Sequence, residues 1–506
     1  MSLVDRFKQT LLHQPDTLAV VQGIERTTYG SLGILSANVA GYLLENEIER
    51  EDRVALILAN SAHYIAIYYG VWCAGGVTVA LNTQAKTSDF LNWLNHSGAR
   101  WLFIDDNHPE LNNLRDREIS GIHIIPVGSG DNSRVSLDDS TWHSIVSSDY
   151  RLPDVEIQSS SLASIIYTSG TTGKPKGVTL SHGNLESNID SILEYLKLNT
   201  SDSIVNVLPF YYSYGNSIMH IHIAVGAKLV LENNLLYPHK VLDLIESESV
   251  TGFSGVPSTF SLILGRVDLT QYSFPSLRYV TQAGGPMPPA LVDRLIDAMP
   301  EIDLFVMYGQ TEATARLTYL PPGDLSNKRG SIGYAIPSVT IRIVNKLGKN
   351  VAVGETGEII ARGPNIMQCY WKDPEKTHQV IKNGWLHTGD LAHYDSDGYI
   401  YIDGRSSDMI KSGGNRISPK EIEEVIQELE GVQEVAVVGI PNEVLGETIK
   451  AYIVPKVKSD LKKMAVQRHC KENLAVYKIP KTVEFITELP KTASGKIQRF
   501  ALQRSD

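Results

Sequence analysis

The sequence predicts an α/β protein: a large N-terminal body of α/β subdomains that ends in a β-rich subdomain, followed by a small C-terminal α+β domain. Three observations carry this. Up to Ala298, short β-branched runs alternate with segments of helical period. Beyond Gly323 the texture changes to strand pairs and Gly/Asp turns, and from Ser418 a fresh helix start opens the last stretch. At about 150 residues per domain, a chain of 506 residues holds roughly two to four folding units.

In chain order, a helix is expected over Ser31–Glu45 and strands over Arg53–Leu58, Ala163–Tyr167 and Leu277–Thr281, with a second clear helix over Met287–Ala298. Such alternation calls for mostly parallel sheets covered by helices. The segments Ile341–Val344, Gly357–Ala361 and Tyr399–Asp403 read as a more antiparallel unit. In the last domain, Ser418-Pro419-Lys420-Glu421 is a capping box with proline at the first helical position, Gly431 is the expected C-cap, and Glu434–Ile440 is a buried strand. No repeat or low-complexity segment occurs.

Composition removes several classes. Apolar residues make up 42% and charged ones 20%, an ordinary globular mix that excludes disordered and fibrous chains. Lys plus Arg number 46 against 57 Asp plus Glu, a net charge of -11, so there is no global field for nucleic acid or an anionic membrane surface. From residue 408 onward the balance turns slightly basic, 16 against 14, which allows anion binding there but equally suits solvated helix faces. Cys73, Cys369 and Cys470 are odd in number and widely spaced, as in a reducing compartment. The N-terminus places charges where a signal peptide needs an apolar run, and no stretch of about 18 uncharged apolar residues occurs. A cytoplasmic location is expected.

The sharpest local signal is Tyr167-Thr-Ser-Gly-Thr-Thr-Gly-Lys-Pro-Lys-Gly177, directly after an expected strand. Thr168, Ser169, Gly170, Thr171, Thr172, Gly173, Lys174 and Lys176 make a loop rich in N–H, hydroxyl and ammonium donors, which suits a polyphosphate. The Walker A spacing is absent, and Pro175 blocks an immediate helix. A plain Gly/Ser/Thr turn would not require two lysines.

Further motifs follow: Leu208-Pro-Phe-Tyr-Tyr-Ser-Tyr-Gly215, Gln282-Ala-Gly-Gly285, Tyr308-Gly-Gln-Thr-Glu312, His387-Thr-Gly-Asp390, Asp403-Gly-Arg405, Ser412-Gly-Gly-Asn-Arg-Ile-Ser-Pro419 and Leu489-Pro-Lys-Thr-Ala-Ser-Gly-Lys496. In type and order, over nearly the whole chain, they resemble the adenylate-forming enzymes: acyl- and aryl-CoA synthetases, firefly luciferase and the adenylation domains of nonribosomal peptide synthetases. The resemblance is closest to acyl-CoA synthetases. It implies that a carboxylate is activated on ATP to an acyl adenylate with loss of pyrophosphate, and that a thiol then takes the acyl group and releases AMP.

The resemblance also assigns residues. Gly284, Gly285, Tyr308 and Gly309 would line the adenine site, and glycines leave room for a flat purine while a tyrosine stacks on it. Thr311 would donate to phosphate, and Glu312 would be one carboxylate ligand of a Mg²⁺ that keeps most of its waters. Asp390 and Arg405 would hold the ribose. Lys496, with Thr168, Lys176 and Glu312, would act in the adenylation step by placing charge where it builds on the phosphorus. Read singly, Glu312 is equally a surface ion-pair partner and Lys496 an exposed lysine.

Body 1–404, hinge 405–408 and a mobile lid 409–506 are the implied division, with the turn at Ser407 or Asp408 and Gly413 and Gly414 passing a pantetheine arm. Tyr211, Tyr212, Ser213, Asn216, Ser254, Gly284 and Arg316 are the implied acid pocket. Tyr211 or Tyr212 stands where CoA ligases often carry His. Ser213 falls where amino-acid-activating relatives have an Asp, which disfavours an ammonium-bearing substrate. Arg316 would meet either a second carboxylate of the acid or an internal packing or salt-bridge role. His182 and His387 have no second ligand at zinc spacing.

The expected function is therefore that of a ligase of a fatty or small organic acid that uses ATP, Mg²⁺ and CoA, with Lys471 and Lys478 suggestive of the CoA nucleotide site. A stand-alone adenylation enzyme that loads the phosphopantetheine of an acyl carrier protein is the alternative. A nucleotide-binding homologue without turnover is the alternative of another class.

Overall fold

The computed structural model describes residues 2–117, 121–128, 140–168, 176–405, 408–412, 415–442, 445–457, 459–492 and 495–503. Val54, Ala55, Leu56 and Ile57 are all buried, because the strand Arg53–Ile57 lies between the parallel strands Val77–Ala80 and Trp101–Asp105. A strand covered on both faces needs such an unbroken apolar run. These strands are the middle of a seven-stranded sheet. Its order is Cys369–Tyr370, Lys176–Ser181, Leu162–Thr168, Val77–Ala80, Arg53–Ile57, Trp101–Asp105, His123–Val127.

A nine-stranded sheet stands beside it. Asp303–Tyr308, Tyr279–Gln282, Gly252–Gly255, Ser203–Asn206, Lys228–Leu231 and Leu18–Gln22 run parallel in that order, and antiparallel strands close both edges. Helices Tyr29–Glu45 and Ala62–Cys73 pack against each other so closely that a Cβ on Gly70 would stand 2.8 Å from the Ser36 carbonyl. The Thr28 hydroxyl caps the first of these helices by accepting from Ser31 N–H at 3.2 Å.

Thr340–Val344, Gly357–Arg362, Trp385–Tyr394, Ile381–Lys382 and Ile400–Arg405 form a five-stranded antiparallel sheet, the β-rich unit. A further five-stranded sheet is built on the long hairpin Val432–Asn442 and Gly446–Pro455. Helices Pro419–Gln427 and Lys463–Asn473 bury Ile422, Ile426, Val466 and Cys470 against it. Among the described residues no helix is long and apolar enough to cross a membrane.

The differences from expectation sit at element ends. Helix Ser31–Glu45 starts two residues earlier, at Tyr29, and helix Met287–Ala298 starts at Pro289, since Pro288 fixes an extended residue before it. The strand expected at Leu277 begins at Tyr279. The capping box at Ser418 does not form: its hydroxyl donates instead to the Asp403 carbonyl, tying the last domain to the β-rich unit, although Pro419 does take the first helical position. Gly431 is not the C-cap, because the helix stops at Gln427 and the turn beyond it runs through right-handed residues.

Candidate active site

The antiparallel strands Leu162–Thr168 and Lys176–Ser181 put Thr168 opposite Lys176 at the end of the first sheet. Ser169, Gly170, Thr171, Thr172, Gly173 and Lys174 lie outside the described residues. Beside Lys176–Ser181 runs the short strand Cys369–Tyr370, with Tyr370 paired to Val178, and the chain then enters helix Pro374–Val380. That route brings Lys376 next to Lys176. Burial first, then Lys376, hold the Lys176 ammonium below the usual lysine range; Glu312 pulls the other way and Arg405 adds to the lowering.

The second sheet supplies the opposite wall. Strands Tyr279–Gln282 and Asp303–Tyr308 run parallel and end together. Beyond the first, Gln282 Nε2 donates to Gly285 O at 2.9 Å, and Gly284 sits at φ +88°, where a side chain would be strained. Beyond the second, the chain doubles back: Leu317 N–H donates to Tyr308 O at 2.8 Å. A Cβ on Gly309 would stand 2.0 Å from Ala315 O, so only glycine fits this return. Thr311 and Glu312 occupy the short turn at the tip and Arg316 the returning limb.

Asp390 is buried and accepts twice, from Tyr308 Oη at 2.6 Å on Oδ2 and from Arg405 Nε at 2.7 Å on Oδ1. Asp390 and Arg405 are register partners on neighbouring strands, which is why two motifs 15 positions apart meet. The Asp390 charge pushes Arg405 further above its ordinary value, and burial followed by the same charge raises Tyr308. Glu312 Oε1 accepts from Tyr370 Oη at 2.7 Å. Burial and the Glu312 charge raise Tyr370, so it stays a donor.

On the third side, Ser213 Oγ lies 3.2 Å from Thr311 Oγ1. The next residue, Tyr214, is held by its hydroxyl at 2.9 Å from Thr281 Oγ1, which itself lies 2.6 Å from Ser254 Oγ. Tyr211 is buried and packs its ring 4.6 Å from that of the half-buried Tyr212. Asn216 is buried, and its Nδ2 has no hydrogen-bond acceptor among the described residues. The Arg316 guanidinium lies 4.1 Å over the Tyr214 ring, with no ion pair among the described residues, so the internal salt bridge considered for it is absent.

Lys496 arrives from the last domain. Its turn is closed by Thr492 N–H to Lys496 O at 2.7 Å, with Gly495 at φ +78°, and Ser258 Oγ donates to Gly495 O at 3.4 Å. Lys496 is exposed by area yet flanked by enough protein to feel it. Desolvation and then the Arg405 charge hold its ammonium below the usual lysine range, against Glu312 and Asp390. Lys176, Lys376, Arg405 and Lys496 thus share one field with Glu312 and Asp390, a cationic excess inside an acidic protein. That excess suits a polyphosphate. Among the described residues no three His, Cys, Asp or Glu converge as a metal cage. A single oriented carboxylate, Glu312, fits Mg²⁺, which binds through one or two carboxylates and substrate phosphates.

Other expected residues stand elsewhere. Lys478 is ion-paired with Glu421, and Lys471 is exposed. Asp408 N–H donates to Arg405 O at 3.1 Å; Ser407, Gly413 and Gly414 lie outside the described residues. His387 Nδ1 meets Glu358 at 2.9 Å, and His182 is buried. Tyr370 and Lys376 were not expected: neither belongs to a local motif.

This chain has counterparts among known proteins. The profile described as AMP-binding enzyme matches residues 7–371, and that of the AMP-binding enzyme C-terminal domain matches residues 421–496. The chain belongs to the AMP-binding enzyme family. Among curated members, a long-chain-fatty-acid–CoA ligase of Escherichia coli O157:H7 is 32% identical over 532 aligned positions, covering 99% of this chain and 94% of that one. Among solved structures of the family, an anthranilate CoA ligase in complex with anthranoyl-AMP superimposes with a TM-score of 0.90 at 28% identity, covering 100% of this chain and 97% of that one. The o-succinylbenzoate coenzyme A synthetase of Bacillus subtilis, in complex with ATP and magnesium ion, gives 0.85 at 28% identity, covering 99% of each chain.

Proposed function

We propose that this AMP-binding enzyme activates a carboxylic acid on MgATP and transfers the acyl group to CoA, as an AMP-forming acid–CoA ligase. The observation that carries the reading is the meeting of Lys496 with Arg405, Asp390 and Glu312, which puts residues of both family segments around one site. The named relatives are CoA ligases acting on a long-chain fatty acid, anthranilate and o-succinylbenzoate, which supports the reaction type and leaves the acid open.

In the first half-reaction an oxygen of the acid attacks the α-phosphorus, the bond to the bridging oxygen of the β-phosphate breaks, and pyrophosphate leaves. In the second, the CoA sulfur attacks the acyl carbon, the thiol proton passes to solvent, and AMP leaves with the electron pair of the acyl–oxygen bond. Positioning and charge do the catalysis, and no enzyme nucleophile is needed. Asp390 and Arg405 hold the ribose, Tyr308 flanks the base, and Thr168, Lys176 and Lys376 face the phosphates. Lys496 offsets negative charge as the α-phosphorus is attacked. Glu312 would hold the Mg²⁺ that accompanies ATP, which would supply neutralising charge for the departing phosphates.

Residues 409–506 act as a lid on the body 1–404 and turn about 405–408 between the two steps. The small polar contacts of this lid with the body, such as Ser261 Oγ to Gln433 O at 3.1 Å, suit a surface that parts and re-forms. Three cysteines without a disulfide agree with a cytoplasmic location. A panel of acids read by pyrophosphate release, followed by thioester assays with free CoA and with holo-carrier protein, tests the function. Thioester on free CoA is expected. Product on the carrier alone would replace CoA by a carrier protein, and no acid-driven pyrophosphate from any acid would overturn the ligase reading.

A further inference from the structure

Arg316 is 2% exposed. A cation that deep is costly unless another group compensates it, and no carboxylate pairs with it among the described residues. Its Nε reaches only the Met307 thioether at 3.3 Å, a weak acceptor. The Tyr214 ring faces its guanidinium at 4.1 Å, and the Tyr195 hydroxyl lies beside it. Three apolar or neutral neighbours leave the positive charge without an anion.

The loop does not need this side chain to hold its shape. Asn188 Nδ2 and Asn365 Nδ2 each donate to Arg316 O at 3.0 Å, and Asn365 Nδ2 also reaches Ala313 O at 3.2 Å. The backbone is therefore fixed by two asparagines, while the guanidinium forms no ion pair with any acid among the described residues.

Its place in the site gives the charge a partner. Thr311 is on the outgoing limb of the loop and Arg316 on the returning one. Ser213, 3.2 Å from Thr311, is followed by Tyr214, which covers Arg316. The Tyr214 side chain thus links the end of the pocket where the acid is activated to the buried cation. Gly284, on the adenine side, approaches the same ring: a Cβ there would be 3.9 Å from Tyr214 Cδ1.

We propose, resting on the acid-ligase reading above, that Arg316 receives a second carboxylate at the far end of the substrate, so that the preferred acids are dicarboxylic. The guanidinium offers a planar fork matched to a carboxylate, and a dry wall strengthens the pair. A mono-acid of the same length leaves the buried cation unpaired, and a site built for a polar group rejects the analogue that lacks it.

The test compares dicarboxylates of increasing length with their monomethyl esters, read by pyrophosphate release from the full chain. Wild type is expected to favour the best diacid over its ester by about tenfold or more in kcat/KM. Arg316→Met should bring that ratio close to one, and Arg316→Lys should keep part of it, because charge is retained without the fork. A wild-type ratio near one overturns the proposal with no variant needed, as does a ratio that survives in a folded Arg316→Met. Turnover of mono-acids alone sinks only this inference, whereas absence of turnover with every acid sinks the ligase reading and this inference with it.

Discussion

Tyr370 Oη donates to Glu312 Oε1 at 2.7 Å, joining an edge strand of the first sheet to the loop that leaves the second. The phenol's pKa is raised by burial and by Glu312, so it remains protonated through the neutral range and always presents a donor. One carboxylate oxygen is thereby fixed, and the orientation of the other follows.

Groups that orient a metal ligand typically change metal affinity by about 10- to 100-fold when removed. Tyr370→Phe is therefore expected to raise the Mg²⁺ concentration needed for half-maximal adenylation by about tenfold, and Glu312→Gln to raise it further. Magnesium titrations of pyrophosphate release at saturating ATP measure this. An unchanged midpoint in Tyr370→Phe would mean that Glu312 is oriented by something else.

Three buried histidines make stability depend on pH. Burial pushes His182 down to about 4 and His220 to about 3, His182 itself adding to the second, and burial takes His222 to about 4 against its Ile218 carbonyl and Asp202. The folded state keeps them neutral, while the unfolded chain binds protons below about 6.5. Each therefore contributes stability that is complete above about pH 6.5 and is lost as pH falls toward the folded value, about 2 kcal/mol per histidine by pH 5. Asp105, raised by burial to about 6 against the Ala59 N–H, works in the opposite sense over the same window. Urea melts are expected to show stability falling from pH 7 to pH 5 with a net uptake of about two protons on unfolding. His222→Gln should lower that uptake by about one proton, and a flat profile would show that the imidazoles are already solvated.

The fold layers and most of the site were legible because their signals are local. The apolar run Arg53–Ile57, the doubled-back Tyr308–Glu312 loop with its glycine, and Asp390 and Arg405 on paired strands each announce themselves within a few residues. Tyr370 and Lys376 were not legible. One ends an edge strand of two residues and the other lies in the first turn of a helix of seven, and only the register of Cys369–Tyr370 against Lys176–Ser181 brings them to Glu312 and Lys176. Ser418 misled for a related reason. Its spacing fits a cap, but tertiary docking holds the hydroxyl on the Asp403 carbonyl, to which it donates, and in that position its oxygen accepts from no N–H of the helix's first turn.

Lys496 gives the sharpest separation of the two half-reactions. Its turn is fixed without its side chain, by Thr492, by the ion pair of Lys491 with Glu434 at 2.6 Å, and by Arg499 on Glu423 at 2.6 Å. Lys496→Ala should therefore leave the melting temperature unchanged. Loss of one preorganised charge from a developing negative centre costs about 100- to 1,000-fold in rate, so acid-dependent pyrophosphate exchange should fall by that factor. Thioester formation from a supplied acyl adenylate and CoA should persist, since the thiol attacks carbon and the leaving AMP is already charged. The pH profile adds an independent reading: crowding and Arg405 hold the Lys496 ammonium below its ordinary 10.5, so the alkaline fall of adenylation must begin below that value. Arg in its place stays charged and moves that fall upward. Exchange that survives in Lys496→Ala would take this lysine out of the reaction and leave Lys176, Lys376 and Arg405 to carry the charge.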